Sequence, residues 1–214
     1  MLLDAGADPT LRGEGCFFLR MLSRIHYGPN INVHTLLSLI LCHSSDYLVT
    51  RERDSLGRTL LLQYCADNGE VYSGPSRRAV KALLQLGSTL HDRDHELNTC
   101  LHILLEHFPQ ILSGYSKEKY TNIAIQRFIN TMIYMLRRGA DINAVNKNGE
   151  TPGDVVDHML DFPLSKWSVK FKSVLDVWNA VLHGYYDGTA NEESSEDDED
   201  YEGDEGGVAL PKEE

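Results

Sequence analysis

The sequence predicts an all-α solenoid of about four helix-turn-helix repeats, followed by a disordered acidic C-terminal tail. Three observations carry this. Residues 136–154, LRRGADINAVNKNGETPGD, read as helix, stop, projecting turn, helix. The same punctuation occurs in shorter form at residues 54–62 and ahead of Thr99-Cys100-Leu101-His102. Between these marks apolar residues fall at helical spacing, as in Ile125, Phe128, Ile129, Met132, Ile133 and Leu136.

Residues 136–154 state the logic most fully. A helix ending in Leu136-Arg137-Arg138 meets Gly139, which adopts the left-handed conformation without a Cβ penalty and so stops the helix. Asp141, Asn143, Asn146, Asn148 and Gly149 are turn formers. Thr151 then stands at an N-cap position, Pro152 suits the first helical position, and Asp154 lies where a carboxylate favours exposed amides.

Along the chain, residues 1–9, MLLDAGADP, read as a last helical turn followed by a stop at Gly6. The two helices that should precede this stop are absent. Either the protein starts late in a longer array or the chain is a truncated product; the second reading is preferred. Residues 15–24 and 31–42 form the next expected helix pair, broken by Tyr27-Gly28-Pro29-Asn30. The unit from Asp54 carries Gly57 and Thr59, and its second helix is expected over 76–86, closed by Gly87-Ser88-Thr89. The third unit places Thr99 and His102 at a helix start, with a second helix over 122–138. In its turn Leu97 stands where glycine is expected, so another backbone geometry is predicted there. The fourth unit opens at Thr151-Pro152 and closes with a helix over 166–183, where Trp167, Phe171, Val174, Leu175, Trp178, Val181 and Leu182 trace an apolar face.

These motifs resemble the ankyrin repeat family, whose signature is Gly-Ala-Asp, a hairpin finger, then Gly-x-Thr-Pro-Leu-His. The match runs over roughly residues 1–183 and is degenerate. Leu60 and Leu62 replace the expected proline and histidine, and Gly153 and Asp154 displace leucine and histidine. The motif threonines stand at 59, 99 and 151, spacings of 40 and 52, against about 33 in the family. The excess is expected between paired helices, at 67–75 and 108–120. The resemblance implies a repeat domain over 1–186 that binds other proteins across its finger tips and the concave row of first helices. It also implies that the motif histidine ties finger to helix, a role only His102 inherits. Gly6, Gly57, Thr59, Gly87, Thr99, His102, Gly139, Gly149, Thr151 and Pro152 are the repeat-motif residues. The finger residues Arg51, Arg53, Asp54, Arg58, Arg93, Asp94, His95, Lys147 and Asn148 are the partner-binding candidates, read as projecting without a packing duty.

Charge separates body from tail. Of the 32 acidic residues, thirteen lie in residues 187–214 beside one lysine, while residues 1–186 balance nineteen acids against nineteen bases. The folded body therefore carries no general attraction for nucleic acid. The tail, almost without apolar residues, cannot offset the entropy of ordering and is read as disordered. It solvates the chain or attracts basic proteins. Ser194 and Ser195 each have an acid three residues on (Asp197 and Asp198), the pattern of an acidophilic kinase such as casein kinase two. Four scattered cysteines without a CxxC pair suggest a reducing compartment, cytoplasmic or nuclear. No apolar run is long enough to span a bilayer.

Chemistry-bearing clusters are weak. His91 and His95 with Asp92 and Asp94 form a paper metal pair, yet a finger turn does not supply the geometry two ligands four apart need. Cys100 lies near His102 at a helix start, but reads as a small core residue. There is no phosphate loop, GxSxG elbow or HExxH pair. The reading is a binding module with no catalytic residue, metal or cofactor. The other reading from sequence is a structural capping segment, or a fragment of a longer repeat protein, with no binding role of its own.

Overall fold

The computed structural model describes residues 53–67, 76–113, 118–159 and 173–188. Among these residues the chain is all-α and contains no strand. Six helices follow in order: α1 (Leu60–Asp67), α2 (Arg77–Gln85), α3 (Cys100–Ser113), α4 (Glu118–Arg137), α5 (Pro152–Asp157) and α6 (Val174–Tyr186). None of the described helices is long and apolar enough to cross a membrane. The helix pairs expected at 15–24 and 31–42, Gly6, Arg51, and the tail with Ser194 and Ser195 lie outside the described residues.

The helices pack in two rows. α1, α3 and α5 contact one another in succession, as do α2, α4 and α6. Within each pair α1 touches α2, α3 touches α4, and α5 touches α6. One continuous core runs between the rows. Leu61, Leu104, Phe108, Ile125, Phe128, Met132 and Met135 are among its fully buried large side chains, joined by Val177 and Val181 of α6. Phe108 of α3 and Phe128 of α4 meet with ring centroids 4.3 Å apart. The apolar stripe read on α4 is buried throughout, and Ala124 and Met135 widen it because α4 lies between α2 and α6.

Two helix stops follow from a glycine. Gly87 (φ 97°) ends α2, with Gly87 N–H on Leu84 O at 3.1 Å and Ser88 N–H on Leu83 O at 3.0 Å. Gly139 (φ 95°) repeats this after α4, with Gly139 N–H on Leu136 O and Ala140 N–H on Met135 O, both at 3.0 Å. At the other end, Ser76 caps α2, and its own N–H donates to the buried Tyr64 hydroxyl of α1 at 3.0 Å.

Four expected boundaries are corrected. The closing helix does not begin at 166: Ser173 is extended (φ −143°, ψ 165°) and caps α6 through a reciprocal box with Asp176, so the helix starts at Val174 and runs on to Tyr186. α3 continues through Pro109 to Ser113, and α4 begins at Glu118. Much of the excess at 108–120 is therefore added helix rather than loop. Proline there removes one backbone donor, and Phe108 beside it is fully buried in the core.

Candidate functional site

Three turns precede the first helix of each pair, and their hydrogen bonds are the same at each. In the first, Asp54 Oδ1 accepts from Leu56 N–H (2.9 Å) and Arg58 N–H (2.8 Å). In the second, Asp94 Oδ1 accepts from Glu96 N–H (2.9 Å) and Asn98 N–H (2.8 Å). In the third, Asn146 Oδ1 accepts from Asn148 N–H (2.9 Å) and Glu150 N–H (3.0 Å). The backbone closes each turn identically, Asp54 to Arg58, Asp94 to Asn98, and Asn146 to Glu150. An acceptor side chain at the first position holds two amides at once, the local device that makes Asp and Asn turn formers.

The fourth position of each turn is left-handed: Gly57 at φ 78°, Leu97 at φ 60°, Gly149 at φ 78°. The expectation of a different geometry at Leu97 is thus corrected. The Asp94 bonds and the neighbouring turns on either side impose the common conformation on a residue that disfavours it.

The fingers are stitched to one another. His95 N–H donates to Leu56 O, and Lys147 N–H donates to Glu96 O, both at 2.9 Å. Arg53 Nη1 reaches Arg93 O (3.1 Å), and Arg93 Nη1 reaches Val145 O (2.8 Å), equivalent positions one finger on. Lys147 Nζ pairs with Glu96 Oε1 at 3.1 Å.

Several partner-binding candidates therefore have internal duties, contrary to the sequence expectation. Asp54 and Asp94 hold their own turns, Arg53 and Arg93 clamp the next finger, and Arg58 Nε pairs with Asp54 Oδ2 at 3.0 Å. His95, Lys147 and Asn148 are exposed. The His95 ring lies against Gly57, so close that a Cβ there would overlap it. Sequence reading missed the apolar members of this surface. Leu56, Leu97 and Val145 are 52%, 41% and 46% exposed, three of the five large apolar side chains exposed among the described residues. An apolar residue inside a turn of polar formers was the signal available for them.

Behind each finger a threonine starts the helix. Thr99 N–H donates to His102 Nδ1 at 3.2 Å, and Thr99 Oγ1 lies 2.9 Å from the same nitrogen. Nδ1 is thus an acceptor, so the proton sits on Nε2, which donates to Glu150 O at 2.9 Å. The buried ring (1% exposed) ties α3 to the following finger, and desolvation lowers its pKa from the ordinary 6.5. Asp154 stands in the same place one unit later. Its Oδ2 accepts from Thr151 N–H (2.7 Å) and Thr151 Oγ1 (2.6 Å), and these bonds hold its pKa below the ordinary carboxylate value. Leu62 is the third counterpart and offers no acceptor. Thr59 Oγ1 is accordingly buried without a hydrogen-bond partner among the described residues.

His91, Asp92, Asp94 and His95 do not converge. His91 and His95 are exposed, Asp94 is consumed by its turn, and Asp92 Oδ1 faces Arg53 at 3.4 Å. Among the described residues no three His, Cys, Asp or Glu side chains cluster as a metal site would require. Cys65 and Cys100 are free, buried thiols, and burial pushes Cys100 up to about 12, far from a nucleophile's range. No protein-family model and no curated protein matches the chain.

Proposed function

We propose that the chain is a protein-protein interaction module, an ankyrin-like stack of helix pairs that binds other proteins through its finger row and the adjoining row of first helices. The observation that carries this reading is the finger row itself. Polar bonds fix its backbone, yet it leaves Leu56, Leu97 and Val145 exposed beside His95 and Lys147. A rigid ledge of apolar groups with a polar rim is what a docking surface needs, because little side-chain entropy is lost on binding. The resemblance to ankyrin repeats supports the same reading, with recurring stops, fingers and caps at corresponding positions. On this reading the module acts by binding other proteins rather than by catalysis. Its setting is the cytoplasm or nucleus, where the reduced thiols of Cys65 and Cys100 persist.

A photoreactive phenylalanine analogue at Leu56 or Val145 of the full chain tests this. It is expected to trap a discrete protein adduct in cells, while the same probe at Asn179 on the exposed side of α6 traps none. Equal adducts from both faces, or none from the fingers, overturn the reading.

A further inference from the structure

The second-helix row carries a cationic face that the finger row does not explain. α2 carries Arg77 and Lys81 one turn apart, and its sequence holds no acid. Its Arg77 guanidinium sits 5.1 Å from the centre of the Tyr134 ring of α4, and Arg138, at the end of α4, sits 5.3 Å from the same ring. Two guanidiniums thus flank one aromatic ring, an arrangement that concentrates positive charge at a half-buried site. Lys81 lies one turn beyond Arg77 and is exposed, as is Arg138. Among the described residues no carboxylate pairs with either of them.

The end of α6 lies beside this face. Arg137 Nη2 donates to Gly184 O at 3.0 Å, so the last turn of α6 is held against the last turn of α4. The chain leaves α6 at Tyr186 and is described to Gly188. Residues 189–214 then hold twelve carboxylates and one lysine. Residues 189–214, fully extended at about 3.3 Å per residue, span up to roughly 85 Å, well beyond the width of two packed helices. Attraction between such a segment and a neighbouring cationic face operates within roughly 8 Å at physiological ionic strength, and the tether keeps the local concentration high.

We propose that residues 189–214 dock in cis on the face formed by Arg77, Lys81, Tyr134 and Arg138. The contact is electrostatic and exchanges with solvent. It neutralises part of the tail and covers the second-helix row while leaving the finger row open.

Zero-length carbodiimide coupling on the full 214-residue chain, mixed as light and ¹⁵N-labelled protein, tests this by mass spectrometry. Lys81 is expected to couple to tail carboxylates within one isotopic label, at least five-fold more often than the exposed Lys147. That coupling should fall several-fold in 0.5 M salt and in the double variant Arg77→Glu/Arg138→Glu, whose helix content is checked by circular dichroism. A single variant, Arg138→Glu at an exposed position, should show a smaller loss and guards against misfolding. Equal coupling to Lys81 and Lys147 means a solvated tail with no preferred place. Coupling across labels means docking on a second copy. Either result, or no coupling at Lys81, overturns the proposal.

Discussion

At the scale of single residues, the three finger threonines form an internal comparison. Thr99 and Thr151 have partners in His102 and Asp154, whereas Leu62 leaves the Thr59 hydroxyl buried and unbonded. A buried unpaired hydroxyl costs on the order of 1–3 kcal/mol, while a satisfied one contributes about 1 kcal/mol. Thr59→Val is therefore expected to stabilise the chain by about 1 kcal/mol in urea unfolding, and Thr99→Val to destabilise it by about as much. Equal signs for the two substitutions would refute the argument. The left-handed position gives a second contrast. Gly57→Ala meets both a positive φ and the His95 ring 2.3 Å away, whereas Gly149→Ala meets the φ alone. Roughly 1 kcal/mol is expected at Gly149 and at least twice that at Gly57. The sequence showed Gly57, Gly149 and the threonines directly, since their roles are local. It did not show that Leu97 would be forced to φ 60°, because the force comes from fingers 40 and 52 residues away.

At the scale of elements, α4 and α6 meet tightly where Gly184 faces Ile133. A Cβ on Gly184 would lie 2.5 Å from Ile133 Cδ1 and 3.5 Å from Cγ1. Ile133 is 4% exposed and has little room to retreat. Replacing a helical glycine by alanine gains about 1 kcal/mol in propensity, but overpacking costs about 1–3 kcal/mol. Gly184→Ala is thus expected to destabilise the protein in thermal unfolding. In an Ile133→Val background the offending methyl is gone, and the same substitution should stabilise it; no reversal of sign would show that the close approach is not what the glycine serves. The helices themselves were legible where a cap, a stop or an apolar stripe marked them, as the stripe and Gly139 mark α4 and Thr151-Pro152 mark α5. The start of α6 was misread because Trp167 and Phe171 continue the stripe in register, although Ser173 and Asp176 spell a capping box within it. Likewise the end of α3 was not legible: Pro109 lacks a backbone donor, yet the helix, packed against α1, α4 and α5, runs on to Ser113.

Across the whole molecule, stability rests on contacts between neighbours, so a residue that bridges two units acts on the array rather than on one helix. His102 is such a bridge, from Thr99 to the Glu150 carbonyl. Burial disfavours the charged ring, so its folded pKa lies below the ordinary 6.5, and a proton on Nδ1 would also set a donor against the Thr99 N–H. The folded state therefore binds fewer protons than the unfolded chain. The stability this residue contributes is complete above pH 6.5 and is lost as the pH falls from there through the lower folded value. Glu150 and Asp154 also have depressed values, from ordinary ones of 4.5 and 3.8, and their contribution is lost only at lower pH. Acid destabilisation should accordingly begin below pH 6.5, in a range where carboxylates have not yet titrated, and steepen below pH 4.5. Urea midpoints measured every half unit from pH 8 to 3.5 would trace both limbs. His102→Asn keeps an acceptor for Thr99 but does not titrate, so it should lower the midpoint at pH 8 and flatten the upper limb. If the upper limb survives in that variant, some other group drives it and the inter-unit bridge is not the acid-sensitive joint.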